Sequence, residues 1–220
     1  MSAMSPPALH PGFGSGLRLW LLRHGEVDEA WRGRAYGDLD VPLSAEGRAA
    51  TAELARDFEG VPLARVYSSP LARARELGRA VAEAAGAPLT LEPGLRELFR
   101  GTWQGQAIDE LGALDPAGVE AFYSDPWTYR GHGGESDEDI HARAWPAVAD
   151  AARRHPGGTV AFATHYNVIR VLATALLGLA PARSFAFRVD PGRSSLFVDG
   201  EHGWTLRASN AARPRQAAPA

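Results

Sequence analysis

The chain contains no cysteine and no lysine. The first absence excludes disulfides, thiol nucleophiles and thiolate metal sites, although a cysteine-free chain folds in any compartment. The second makes all 23 basic residues arginine. Guanidinium suits bidentate phosphate binding, but replacement across a whole chain is a compositional bias, so individual positions must carry the case. Neither sign of charge dominates: 26 acidic residues against 23 basic ones give a net charge of -3. That excludes an overall field favouring nucleic acid or an anionic membrane and points to a small-molecule partner. No apolar run approaches the roughly 20 residues that span a bilayer, and the longest, VIRVLATALLGLA, contains Arg170. The opening MSAMSPPALHPGFGSG has neither a basic nor an apolar signal region. Residues 1–16 therefore read as a flexible leader, and the cytoplasm is the expected compartment.

What the sequence does contain is an alternation of strands and helices. At 220 residues one domain is expected, over 17–210, followed by a disordered tail at 211–220. LRLWLL is a short apolar strand, and a helix capped by Ser44 and patterned through Leu54 and Phe58 follows it. ARVYSS is the next strand. Past Pro70 comes a helix with Leu71, Ala74, Leu77 and Val81 on one face and Gly86 at its end. After a loop-rich middle, Ile140, Ala144 and Val148 mark a further helix, then the strand TVAFAT and the helix NVIRVLATALLG. SFAFRVD, SSLFVDG and WTLRAS close the chain as short antiparallel or edge strands. The expected fold is α/β: a three-layer sandwich with a mainly parallel open sheet and helices on both faces. In such sheets ligands bind at the carboxyl ends of the strands.

Two strands end in histidine, at His24 and His165, and ARVYSS ends just before Arg73. Arg73 falls in the first turn or so of a helix, where backbone N–H groups and the dipole favour an anion. A phosphomonoester dianion repels nucleophiles, so its catalyst needs cationic donors around the non-bridging oxygens and an attacking atom opposite the leaving group. Arg23, Arg73 and His165 can supply the donors. His24 can attack as a neutral imidazole, its pKa lowered by the flanking arginines. The departing alkoxide needs a proton, for which Glu97 in GLRELFRGTWQG is the candidate, with Glu26 and Glu135 as competing carboxylates.

LLRHGE, YSSPLARARE, LRELFRGTWQG, GGESDEDIHAR and ATHYNVIRVL occur in this order. Over roughly residues 17–210 the chain thereby resembles the histidine phosphatase superfamily, which includes the cofactor-dependent phosphoglycerate mutases. The resemblance implies a phosphoglycerate mutase-like fold and a phosphohistidine intermediate at His24. It also implies phosphate contacts from Arg23, Arg73 and His165, with Glu97 as proton donor, and no metal; for the hydrolytic reading no cofactor is expected. Tyr166 stands where a glycine is common, Leu77 where a threonine is frequent and Gln104 where a glutamate is common. Only residues 106–132 separate Gly105 from the Gly133–Gly134 pair, a shorter insertion than the mutases carry. Water should therefore reach the phosphohistidine, and hydrolysis of a small phosphate ester is the first reading. A phosphoglycerate mutase and a catalytically weak phospholigand or protein-binding module are the alternatives. LRLWLLRHGEVD and FAFRVDPG also look similar to phosphatases acting on α-ribazole phosphate, which makes that ester a candidate substrate.

The polar stretch EVDEAWRGRAYGDLDVPLS should form part of the pocket rim. Glu26, Arg34, Tyr36, Arg100 and Tyr166 are candidate substrate contacts beyond the phosphoryl group, with Arg130 and the loop residue His132 as further candidates. Trp31, Trp103 and Trp127 are candidates for the pocket lining. No histidine pair has the helical spacing of a zinc site. An edge strand leaves room for a homodimer.

Overall fold

In the computed structural model, which describes residues 12–212, the first apolar run becomes strand β1 (Arg18–Arg23). Successive side chains leave a strand on opposite faces, so Leu19 and Leu21 enter one core while Trp20 and Leu22 enter another. Strand β4 (Thr159–Thr164) repeats the division, with Val160 and Phe162 against Ala161 and Ala163. Strands β2 (Arg65–Ser68) and β3 (Leu89–Leu91) complete the parallel part, and β5 (Ser194–Gly200) and β6 (Gly203–Ala211) add an antiparallel hairpin. The order is β3-β2-β4-β1-β5-β6.

A parallel sheet buried on both faces needs helices on both. Helices α1 (Ala45–Arg56) and α2 (Ala72–Ala85) cover one face through Leu54, Leu77 and Val81. Helices α5 (Asp137–Arg154) and α6 (Tyr166–Leu176) cover the other through Ile140, Val148, Val168 and Leu172. The result is the three-layer α/β sandwich that the strand–helix alternation implies. Its helix ends follow local chemistry. Ser44 Oγ accepts from Gly47 N at 2.9 Å to start α1, and Gly86 ends α2 in the left-handed region at φ 64°.

Three segments differ from their sequence reading, the first being β3, which has no counterpart among the expected strands. SFAFRVD is not a strand: Pro181–Ala186 forms a 3-10 helix, and Phe185 leaves the sheet to lie 4.2 Å from the Arg170 guanidinium and to pack on Phe122. The loop-rich middle holds two short helices, α3 (Ile108–Leu114) and α4 (Pro116–Ser124). Asp115 ends the first and caps the second, accepting from Gly118 N at 2.9 Å. Of the expected leader, residues 1–11 lie outside the described residues. Residues 12–16 are fastened to the sheet, because Ser15 N and Oγ both donate to Asp199 Oδ2, at 2.8 and 2.6 Å. Of the expected tail, Ala211 closes β6 and residues 213–220 lie outside the described residues. Among the described residues no helix is long and apolar enough to cross a membrane.

Candidate active site

Strand register assembles the site. β1 and β4 are parallel neighbours with Arg23 opposite Thr164, so the next residue of each, His24 and His165, emerges beside the other. Their rings lie 5.1 Å apart, inclined at 64°. β2 flanks β4 on its other side with Ser68 opposite Ala163, which brings Ser69 Oγ within 2.8 Å of His165 Nε2. α2 begins just beyond, and Arg73 in its first turn donates from Nε to His24 Nε2 at 3.3 Å. Three adjacent strand ends thus meet at one imidazole.

His24 is 2% exposed. Its Nδ1 donates to the Gly25 carbonyl at 2.7 Å. A carbonyl only accepts, so Nδ1 carries the proton and Nε2 keeps its lone pair. Burial first, then the charges of Arg73 and Arg23, hold the ring well below the usual imidazole range, against an opposing effect of the Gly25 bond. It is therefore neutral at pH 7. Gly25 has a packing reason: a Cβ there would sit 2.1 Å from Gly47 O, in the first turn of α1.

The surrounding donors are buried and incompletely satisfied. Arg73 NH1 and NH2 donate to the carbonyls of Leu39 and Gly37 at 2.6 and 2.8 Å, and its guanidinium lies 5.1 Å from the Tyr36 ring. Arg23 NH1 donates to Val189 O, its guanidinium lies 5.3 Å from the Tyr166 ring, and its buried Nε has no partner. Burial, followed by Arg73 and His24, keeps His165 well below the usual range. Ser69 Oγ accepts from Leu71 N at 3.3 Å and is also hydrogen-bonded to His165 Nε2. The buried Nδ1 of His165 has no partner. Buried donors without acceptors are costly, and a cluster of them around an unprotonated nitrogen suits a tetrahedral polyanion. Glu97 is 5% exposed, its Oε1 accepting from Leu98 N at 2.7 Å and its Oε2 from Asn167 N at 3.4 Å.

A cleft of about 550 Å³ opens above this cluster, walled by Arg23, Tyr36, Glu97, Arg100, Tyr166 and Asn167. Glu26 and Arg34 are exposed on it. Arg34 is anchored through Nε to Ala30 O and NH1 to Gly105 O, at 3.1 and 3.0 Å. His24, Arg73 and His165 are not on the wall. They lie beneath it, where Tyr36 and Gly37 touch Arg73. All ten candidate residues therefore belong to one cleft and its floor.

Other candidates lie elsewhere. Arg130 pairs with Glu138 and Asp139 at 3.0 and 2.8 Å, and Glu135 pairs with Arg143 at 2.9 Å. His132 is buried among Trp103, Phe122 and Tyr129; burial, then Arg100, lower its pKa to about 4. Trp103 belongs to the core, and neither Trp31 nor Trp127 is on the cleft wall. Among the described residues no group of three or more His, Asp or Glu is placed to hold a metal ion.

The sequence reading overlooked Ser69 and Asn167. Ser69 directly follows the last residue of β2, and Asn167 is the second residue of α6, three beyond the end of β4. A buried bidentate pair, Arg170 with Asp137, lies behind Asn167, and Arg170 Nε donates to Asn167 Oδ1 at 3.0 Å.

A family-wide sequence profile, described as the histidine phosphatase superfamily (branch 1), matches residues 19–212. The chain belongs to the histidine phosphatase superfamily. Glucosyl-3-phosphoglycerate phosphatase of Mycobacterium tuberculosis is 33% identical to this histidine phosphatase over 173 residues, 75% of this chain and 77% of the relative. Phosphoserine phosphatase 1 of Hydrogenobacter thermophilus is 29% identical over 174 residues, 79% and 82% of the two chains. Adenosylcobalamin/alpha-ribazole phosphatase of Escherichia coli is 28% identical over 195 residues, 88% and 96%. The native structure of the mycobacterial glucosyl-3-phosphoglycerate phosphatase superposes with a TM-score of 0.78 at 30% identity, covering 88% of this chain and 98% of that one.

Proposed function

We propose that this chain is a phosphomonoesterase that hydrolyses a small phosphorylated metabolite through a phosphohistidine at His24. The observation that carries the reading is the unprotonated Nε2 of His24, within 3.3 Å of Arg73 Nε. Its lone pair attacks phosphorus, the ester P–O bond breaks, and Glu97 gives its proton to the departing oxygen. Glu97, now a carboxylate, takes a proton from water as that water attacks the phosphohistidine. The P–N bond breaks, phosphate leaves, and both residues return to their starting states. Arg23, Arg73 and His165 hold the non-bridging oxygens. A bound dianion favours the charged imidazolium of His165, which adds a positive charge where the transition state needs it. Glu26, Arg34, Tyr36, Arg100 and Tyr166 face the leaving group.

Hydrolysis is favoured over return transfer because the cleft is open: Ile108 and Tyr123 on its outer wall are 52% and 58% exposed. The three relatives named above are phosphatases by name, which supports the same reaction, and the name of one of them supports α-ribazole phosphate as a substrate to try; other relatives carry the name probable phosphoglycerate mutase. The test is phosphate release from p-nitrophenyl phosphate and a panel of phosphomonoesters, with EDTA present. Wild type should turn over and His24→Ala should not. A folded wild type that releases no phosphate from any ester overturns the reading.

A further inference from the structure

Three guanidinium groups at the cleft are each backed by an aromatic ring: Arg23 by Tyr166 at 5.3 Å, Arg73 by Tyr36 at 5.1 Å and Arg100 by Phe122 at 5.1 Å. The first two flank His24 and take the phosphoryl group. Arg100 is built in the same way but is left over. Its backbone N is held by Gln104 Oε1 at 3.2 Å, at the start of the 3-10 turn Gly101–Trp103. Among the described residues its guanidinium makes no hydrogen bond and no ion pair. Burial lowers its pKa, with Glu97 the main opposing influence. A cation partly removed from water with its donors unpaired is a standing cost that an anion in the cleft would relieve.

The same wall offers a second donor. Because Arg170 Nε donates to Asn167 Oδ1, the amide oxygen is turned toward Arg170, and the two N–H groups are on Nδ2. No hydrogen bond uses them among the described residues, and Asn167 is on the cleft wall. The competing rim cation, Arg34, already spends Nε and NH1 on main-chain carbonyls.

We propose that Arg100, assisted by Asn167 Nδ2, is a carboxylate subsite, so that the preferred substrate is a phosphomonoester whose leaving group carries a carboxylate. The inference rests on the phosphatase reading and specifies its substrate class. One guanidinium balances one negative charge, and its planar fork matches two carboxylate oxygens. A second phosphate would set two negative charges against that single cation and close to Glu97.

The test uses matched probes: 3-phosphoglycerate against glycerol 3-phosphate, which differ by a carboxylate in place of a hydroxymethyl group, and a glycerol bisphosphate. Affinities are measured by calorimetry on His24→Ala, which cannot turn the probes over, with and without Arg100→Gln or Arg100→Lys. The carboxylate probe should bind about tenfold or more tighter than its alcohol match. Arg100→Gln should bring the two to within about threefold of each other, and Arg100→Lys should restore part of the difference. Equal affinity with Arg100 in place overturns the subsite. So does a preference that survives Arg100→Gln, or tighter binding of the bisphosphate than of the carboxylate. Turnover of p-nitrophenyl phosphate by wild type, measured in parallel, separates failure of the subsite from failure of the phosphatase reading.

Discussion

Acid should destabilise this protein in a way that one buried histidine makes measurable. His132 is 1% exposed, and its Nδ1 accepts from Gly134 N at 2.8 Å. Its pKa is about 4 in the fold against 6.5 ordinarily, because burial and the nearby Arg100 oppose its charged form. The folded value is the depressed one. Above pH 6.5 the ring is neutral in both states and adds no pH dependence. Below it, the unfolded chain takes up a proton that the folded chain does not, so stability falls with pH. By linkage the loss at pH 5 relative to pH 8 is about 2 kcal/mol from this residue alone. His24 and His165 shift in the same direction and steepen the total, but they are common to wild type and a His132 variant and cancel in the comparison. His132→Asn keeps an acceptor for Gly134 N and removes the titration. Urea unfolding at pH 8 and pH 5 should show wild type losing about 2 kcal/mol more than His132→Asn. A difference under about 0.5 kcal/mol would refute the argument that the ring is buried and uncharged.

Three further outcomes follow from the site. Glu97→Gln should slow an alkyl phosphate by about a hundredfold or more, and p-nitrophenyl phosphate far less, since that leaving group departs with little protonation; steady-state rates on both esters check it. Arg73→Lys should lose about a hundredfold in kcat/KM, because an ammonium cannot hold Gly37, Leu39 and His24 together as the guanidinium does. Asp137→Asn should cost about 3–5 kcal/mol of unfolding free energy, because it leaves the fully buried Arg170 charge without its partner. Denaturant unfolding at neutral pH reads it directly.

Where the sequence was legible, a single local cause sufficed. The apolar runs before His24 and His165 could only be buried strands, and their ends exposed the site. The need to protonate a departing alkoxide made Glu97 a candidate beside Glu26 and Glu135, and the five-motif resemblance then favoured it, which no periodicity could have done. Long-range packing decided what was not legible. Phe185, Phe187 and Val189 alternate as a strand would, yet Pro181 starts a helical turn and Arg170 draws Phe185 onto its guanidinium. β3 is three half-exposed residues, Leu-Thr-Leu, and exists through its pairing with β2. His132 resembled a rim residue because glycines flank it, but Trp103 and Phe122, distant in sequence, enclose it. Ser69 and Asn167 depend on strand register, which a single sequence does not display.

Everything in this mechanism turns on His24 itself receiving the phosphoryl group. The most direct measurement mixes enzyme with a phosphate-labelled monoester, quenches in base during the first turnovers and locates the label on the chain. An alkali-stable label should appear on His24 in wild type, and His24→Ala should show neither label nor turnover. Turnover that persists in His24→Ala, or a label on another residue, would contradict the mechanism.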